Sequence, residues 1–246
     1  MKTRRIVRYL IVALVALLVV ATIGFLAWTR LARYPAFPEA AALAETARTP
    51  QGWYVFQPTQ PADTGFIFYP GGLVDPTAYA PLMKQLSDKG IMSVITPMPL
   101  DLAIFGVNKA DEVIAAYPGI KHWIIGGHSL GGSMAAEYVK GHPSAVEGIA
   151  FMAAYPADST NLSMLPIKVV SIHGSNDGLA TKAKIQNSLK NLPADTKAVL
   201  IEGGNHAQYG NYGPQAGDGQ PTISREEQQR QAAAATLELV DQRQIP

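Results

Sequence analysis

The 246-residue chain contains no cysteine, which excludes disulfide bonds, thiolate metal sites and a cysteine nucleophile. It also lacks an excess of charge of either sign, because 20 Lys and Arg oppose 19 Asp and Glu for a formal net charge of +1. No overall field therefore favours nucleic acid as a partner. The five histidines form no H-E-x-x-H or comparable pair, so no metal site is predicted. Any nucleophile must be an oxygen or an amine.

An apolar run from Ile6 to Trp28, interrupted by Arg8 alone, is long enough for a helix to cross a hydrocarbon core of about 30 Å. Basic residues precede it, which predicts a cytoplasmic N-terminus. We expect residues 1–30 to be a basic flank and single-pass membrane anchor, with the rest of the chain extracytoplasmic. The alternative is a secretory signal whose cleavage releases the remainder, but residues 24–28 offer no convincing small-x-small cleavage site.

The remainder divides into a predicted linker over residues 31–51, rich in Ala and Pro, and a domain over residues 52–246. Apolar β-favouring runs predict strands at 53–57, 65–69, 92–96, 122–126, 148–152, 167–172 and 198–201. Helical spacing predicts helices at 76–89, 103–116, 130–140, 181–190 and 224–241. Nearly all-apolar strands alternating with helices indicate an α/β fold, with a mostly parallel sheet covered by helices on both faces.

The most specific motif is Gly-His-Ser-Leu-Gly at residues 127–131, which follows a predicted strand and precedes a predicted helix. A tight turn of this kind exposes the Ser129 hydroxyl, and Gly127 and Gly131 leave room where a Cβ would clash. The N-terminus of the following helix directs backbone N–H groups at the place where an oxyanion would develop. Ser129 is therefore the predicted nucleophile, and His128 is interpreted as a positioning residue rather than the base.

This motif resembles the nucleophile turn of the α/β-hydrolase family, in particular of small bacterial esterase-like members, and the resemblance extends over residues 65–211. It implies the chain order nucleophile, acid, base. His-Gly-Ser-Asn-Asp at residues 173–177 resembles the acid turn and implies Asp177, with Asp158 as the alternative. Gly-Gly-Asn-His at residues 203–206 resembles the family's terminal loop and implies His206 as the base.

The family also implies an oxyanion hole made by backbone N–H groups. The Tyr-Pro-Gly-Gly-Leu sequence of residues 69–73 corresponds to the family's His-Gly loop, with Pro70 replacing the histidine. The donors implied are Gly72, or Leu73 as an alternative, together with Leu130. Residues 153–166 are too few for a full lid, so the fold has little or no lid and the site should be open. Met98, Leu100 and Phe105 are further candidates for its lining.

The sequence therefore predicts a membrane-anchored serine hydrolase that cleaves an ester or related acyl bond through Ser129, His206 and Asp177 and an acyl-enzyme. It needs no cofactor, and its expected partners are a small-molecule acyl substrate and, through the N-terminal helix, a membrane. The alternatives are a non-catalytic binding protein on the same fold, or an acyltransferase or thioesterase. No sequence feature indicates the oligomeric state.

Overall fold

The computed structural model describes residues 2–241, so the outermost positions of the predicted ranges, residue 1 and residues 242–246, lie outside the described residues. The chain forms two compact units, one ending at Arg33 and one beginning at Tyr34. The first unit is helix α1, Lys2–Leu31. Its segment Arg4–Leu31 is 28 residues long and apolar enough to cross a membrane, a property that a signal sequence shares.

The second unit begins with a segment that packs on the domain. Tyr34 pairs with Val74 in an isolated bridge, and the Phe37 N–H donates to the Asn211 carbonyl at 2.7 Å. Helix α2, Pro38–Glu45, follows and buries Ala40 and Ala44. Residues 34–51 are thus part of the compact unit, which departs from the linker expected over 31–51. The physical reason is that the small alanines form a buried face, which composition alone does not reveal.

The domain is built on one seven-stranded sheet. Its strands are β1 (Tyr54–Phe56), β2 (Thr64–Tyr69), β3 (Met92–Ile95), β4 (His122–His128), β5 (Gly148–Met152), β6 (Lys168–Gly174) and β7 (Lys197–Ile201). The strand order is β1-β3-β2-β4-β5-β6-β7, and only β1 runs antiparallel to its neighbour. The mostly parallel sheet predicted from the apolar strands is confirmed.

Helices cover both faces of this sheet. They are α3 (Ala80–Ser87), α4 (Lys109–Ala116), α5 (Leu130–Gly141), α6 (Lys182–Ser188) and α7 (Arg225–Asp241). Side chains along β2 alternate between two cores, since Phe66 and Phe68 join one cluster whereas Ile67 and Tyr69 join the other. The first core takes buried residues from α3 and α7, and the second takes them from α4 and α5. The predicted three-layer arrangement is therefore confirmed.

Two predicted helices begin with a 3₁₀ turn, and the helix predicted over 181–190 is shorter, because it ends at Ser188. The segment predicted as a helix over 76–89 is a 3₁₀ turn, Pro76–Tyr79, followed by α3. The one predicted over 103–116 is a 3₁₀ turn, Ala103–Phe105, followed by α4, with Gly106 between them. The chain leaves the helical conformation at Gly106, whose φ and ψ are −140° and 30°.

Strands β2, β4, β5, β6 and β7 are parallel, so their carboxyl ends share one edge of the sheet. In open α/β sheets this edge is the usual place for a ligand, because the loops that leave the strands converge there. The loops after β2, β4, β6 and β7 carry Gly72, Ser129, Asp177 and His206, whereas the alternative acid Asp158 follows β5.

Candidate active site

Ser129 lies in a sharp turn between β4, which ends at His128, and α5, which begins at Leu130. Its φ and ψ are 52° and −122°, a backbone conformation that residues other than glycine rarely adopt. The Ser129 N–H donates to the Met152 carbonyl at 3.0 Å, which fixes the turn to the end of β5. The serine is therefore held in a strained position at the carboxyl edge of the sheet.

The two glycines of the motif allow this turn to close. A Cβ at Gly127 would lie 2.5 Å from the Gly131 carbonyl carbon, and a Cβ at Gly131 would lie 2.0 Å from the Tyr69 carbonyl oxygen. Both contacts are with backbone atoms, which cannot swing away as a flexible side chain can. The close approach of α5 to the loop after β2 therefore requires glycine at residue 131.

Asp177 and His206 are joined by hydrogen bonds. The His206 Nδ1 lies 3.1 Å from Asp177 Oδ1 and 3.0 Å from Oδ2, and the exposed fractions of the two side chains are 2% and 0%. Asp177 Oδ1 also accepts the N–H groups of Leu179 at 2.8 Å and Ala180 at 2.7 Å. The carboxylate is thus fixed by the N–H groups of its own loop as well as by the imidazole. Because a carboxylate can only accept, the imidazole carries its proton on Nδ1.

The alternative acid, Asp158, is exposed on a turn, and no hydrogen bond or ion pair joins it to His206 among the described residues. Of the two carboxylates that the sequence leaves open, the structure brings Asp177 to the histidine.

Ser129 and His206 line one cavity of about 260 Å³. Its other lining residues are Leu130, Ser133, Ala153, Ala154, Tyr155, Leu179 and Ala180, so Met98, Leu100 and Phe105 are not among them. Within residues 2–241, no hydrogen bond connects the serine hydroxyl to the histidine, and His206 Nε2 is buried without a partner. With its proton on Nδ1, His206 has a free lone pair on Nε2, and catalytic hydrogen bonds often tighten only when substrate is bound.

The backbone N–H groups of the loop after β2 differ in availability. The Leu73 N–H donates to the Asp101 carbonyl at 2.7 Å and is therefore occupied. For the Gly72 N–H no acceptor is found in the described part of the chain. A Cβ at Gly72 would lie 3.0 Å from Leu130 Cδ2, so this glycine adjoins the first residue of α5, whose N–H has no acceptor within the helix. Gly72 and Leu130 are therefore the better-placed pair of donors.

Asp218, which the sequence analysis did not single out, holds the loop of the histidine. Its Oδ1 accepts the His206 N–H at 3.0 Å and its Oδ2 accepts the Ala207 N–H at 2.9 Å. Oδ1 also accepts the Gly178 N–H at 3.3 Å, next to Asp177. One carboxylate thus ties the loop of the acid to the loop of the base. The one available signal was its place in a long polar loop, residues 203–221, of the kind that is usually functional.

His128 also holds the loop of His206, through the backbone carbonyl of that residue. Its Nε2 lies 3.0 Å from the His206 carbonyl, which can only accept, so Nε2 carries the proton. Nδ1 then accepts from the Tyr79 hydroxyl at 2.9 Å, and that hydroxyl accepts the Gly71 N–H at 3.0 Å. The chain of hydrogen bonds connects the loops after β2, β4 and β7.

Burial and the nearby His206 ring lower the pKa of His128 well below its usual value. The ring is fully buried and stacks at 5.6 Å on Tyr209, whose own pKa is raised by burial. His128 therefore stays neutral, as its hydrogen bonds require, and its position away from the cavity suits the positioning role expected from the sequence.

No three histidine or acidic side chains converge in a metal-binding arrangement within residues 2–241. The groups that the loops bring to this edge are a hydroxyl, an imidazole, a carboxylate and backbone N–H donors.

The comparisons with known proteins agree with this architecture. Residues 65–230 match the model of the alpha/beta hydrolase family, and the chain therefore belongs to that family. A search of curated proteins finds no match.

Similar solved structures include the ferulic acid complex of Est1E from Butyrivibrio proteoclasticus. It has a TM-score of 0.60 and 11% sequence identity, and the match covers 77% of this chain and 95% of that one. The hydrolase MGS-MChE2, from a lagoon-sediment metagenome, has a TM-score of 0.58 and 14% identity, with 77% of this chain and 96% of that one covered. Est2 of Thermogutta terrifontis, phosphoramylated by tabun, has a TM-score of 0.55 and 13% identity, with 78% of this chain and 92% of that one covered. At these identities the likeness concerns the fold.

Proposed function

We propose that this α/β hydrolase is a serine esterase in which Ser129 is the nucleophile, His206 the general base and Asp177 the residue that orients the base. The observation that carries the proposal is the buried Asp177–His206 pair, in which His206 lines the same cavity as Ser129 and its Nε2 has no hydrogen-bond partner in the described residues. The structural likeness to esterase 2 of Thermogutta terrifontis supports an ester as the substrate.

In the first step the Ser129 oxygen forms a bond to the acyl carbon while His206 Nε2 takes the hydroxyl proton. The tetrahedral intermediate then collapses, the bond to the leaving alcohol breaks, and His206 gives its proton to that alcohol. Water attacks the acyl-enzyme in the second step, passes a proton to His206, and releases the acid as the serine regains its proton. Asp177 keeps the Nδ1 proton in place and stabilises the imidazolium that forms in each step.

The negative oxygen of each intermediate is stabilised by the N–H groups of Gly72 and Leu130. The positive end of α5 adds to this stabilisation, because its first turn faces the Ser129 site. Leu73 takes no part, since its N–H is bonded to Asp101.

The decisive test is Ser129→Ala in the full chain in detergent, assayed with a small activated ester. Turnover should disappear while the circular dichroism spectrum stays unchanged. Ser133→Ala is the matched control, because Ser133 lines the same cavity but donates to the Tyr155 carbonyl at 2.7 Å. Retained turnover in Ser129→Ala would refute the assignment. A wild-type protein that neither turns over the ester nor reacts with a fluorophosphonate probe would be a binding protein on this fold.

We also propose that α1 remains as a single-pass anchor, with a cytoplasmic N-terminus and the hydrolase domain extracytoplasmic. The apolar length of Arg4–Leu31 and its basic start support this topology. Recovery of an intact chain in the membrane fraction, with the domain open to protease from the outer side alone, is the expected result. A shortened chain in the soluble fraction would instead indicate signal cleavage.

A further inference from the structure

The anchor joins the domain beside the candidate oxyanion loop. Only Ala32 and Arg33 separate Tyr34 from the end of α1 at Leu31, and such a connection reaches at most about 11 Å. Within the domain, the Tyr34 N–H donates to the Leu73 carbonyl at 2.7 Å. The Tyr34 carbonyl accepts the Asp75 N–H at 3.0 Å. The point of attachment is therefore fixed next to the loop that holds Gly72.

An exposed apolar segment adjoins the same loop. Residues 99–105 contact it through the Asp101 carbonyl, which accepts the Leu73 N–H, and through Leu102, whose Cδ2 would lie 3.8 Å from a Cβ at Gly72. On this segment Leu100 is 40% exposed and Ile104 is 49% exposed. Large aliphatic side chains grouped at the edge of an active site are typical of surfaces that contact lipid or a ligand.

The backbone of this segment is specialised for its position. Leu100 and Asp101 have φ values of 57° and 55°, which place two successive residues other than glycine in the left-handed region. This turn directs the Asp101 carbonyl at Leu73 and leaves the Leu100 side chain partly in solvent. The exposed aliphatic residues are therefore part of an ordered rim, which we define as residues 99–105.

We propose that this rim contacts the bilayer into which α1 is inserted and that the natural substrate is an ester carried by a membrane lipid. The proposal rests on the esterase function and on the retained anchor. The cavity at Ser129, about 260 Å³, is below the usual range for ligand pockets, so it accommodates a small group on one side of the ester. The lipid on the other side stays in the bilayer, against Leu100 and Ile104.

A short tether at the site makes the reaction with a lipid effectively intramolecular. The local concentration of such a substrate depends on the tether length, whereas that of a soluble ester does not. Changing the tether length therefore tests whether the substrate is a lipid without changing the hydrolysis of a soluble ester.

The test uses the full chain reconstituted into phosphatidylcholine vesicles that contain a dialkyl lipid with a butyryl ester on its headgroup. Hydrolysis of this lipid is compared with hydrolysis of a soluble butyryl ester by the same vesicles. In one variant a Gly-Ser spacer of about 30 residues, with a mean reach of about 30 Å, is inserted between Ala32 and Arg33, so that Tyr34 keeps its contacts. A second variant is Ile104→Ser. The control is Met164→Ser, which changes a side chain 91% exposed in the loop that precedes β6.

We expect the spacer to lower the rate on the lipid ester about tenfold relative to the rate on the soluble ester. Ile104→Ser should lower the same ratio about threefold, and Met164→Ser should leave it unchanged. A ratio unaffected by the spacer, or a wild-type chain that cleaves the soluble ester alone, would overturn the lipid substrate and leave the esterase standing. Absence of soluble ester hydrolysis in the wild type would overturn the esterase function, and the lipid proposal with it.

Discussion

The loops that carry Ser129 and His206 border one cavity, but they are held in place by different means. Backbone atoms fix the serine, through the hydrogen bond to the Met152 carbonyl and the close approach of Gly131 to the Tyr69 carbonyl oxygen. Side chains fix the histidine, above all those of Asp218 and His128. The serine turn should therefore be sensitive to added volume, and the histidine loop to lost hydrogen bonds.

The largest expected effect tests the serine turn. Gly131→Ala introduces a Cβ that would lie 2.0 Å from the Tyr69 carbonyl oxygen, so α5 must move away from the loop after β2. We expect loss of detectable esterase activity and destabilisation by about 3 kcal/mol or more, measured by chemical unfolding. Gly141→Ala, at the other end of α5, meets nothing within 4 Å and should retain activity. Equal behaviour of the two variants would contradict a volume-limited turn.

Asp177→Asn tests the contact between acid and base. An amide cannot stabilise the imidazolium and favours the wrong tautomer of His206, so we expect kcat to fall about 10⁴-fold with little change in KM. Asp158→Asn is the matched control, since that residue is exposed and should leave kcat unaltered. The assignment would be reversed if Asp158→Asn, and not Asp177→Asn, abolished turnover.

Asp218→Asn tests the support behind the histidine. One carboxylate oxygen of Asp218 accepts the His206 N–H and the other accepts the Ala207 N–H. In the variant, the amide nitrogen replaces one of these oxygens and would face an N–H donor. We expect the loop to shift and kcat to fall about 10- to 100-fold while KM changes little. Asp195→Asn, which breaks a surface ion pair with Lys168, should have no effect on kcat. A fall of the same size in that control would point to general destabilisation instead.

The smallest effect concerns the pH dependence of stability. Burial first, and then the nearby His206 ring, lower the pKa of His128. Below about pH 6.5 the unfolded chain gains a proton here that the native protein does not, so the free energy of unfolding decreases as the pH falls. His173, whose pKa is also lowered by burial, contributes with the same sign.

His128→Gln removes one of these two contributions, so its stability should depend less steeply on pH. Between pH 7.0 and 5.5 the difference in unfolding free energy between wild type and variant should narrow by about 1 kcal/mol. Urea unfolding in detergent, followed by near-ultraviolet circular dichroism, measures it. A constant difference across this range would show that His128 already binds a proton in the native state.

The same contrast explains what could be predicted from the sequence. Gly127 and Gly131 lie within the motif around Ser129, so both could be assigned from spacing, although the Tyr69 carbonyl that Gly131 approaches could not. The seven strands were predictable because each is a short apolar run between turn residues. Asp177 was preferred over Asp158 from the resemblance of its turn, whereas its contact with His206 is visible only in the coordinates.

The supports of His206 could not be predicted, because they act over long separations. Tyr79 and His128 are 49 residues apart, and Asp218 lies 12 residues beyond the histidine whose N–H it accepts. The choice between Gly72 and Leu73 as an oxyanion donor also depends on a contact between distant loops. Leu73 is occupied by Asp101, a contact between loops that no local motif encodes.

Helix α7 also fastens the histidine loop. Gln228 accepts the Asn205 N–H at 2.9 Å and donates to the Asn205 carbonyl at 2.7 Å, and Gln229 donates to the Gln208 carbonyl at 3.2 Å. Because α7 follows the His206 loop along the chain, that loop can be fastened only after α7 has been synthesised and has docked on the domain. We therefore expect the proposed esterase activity to appear only after α7 has docked on the domain.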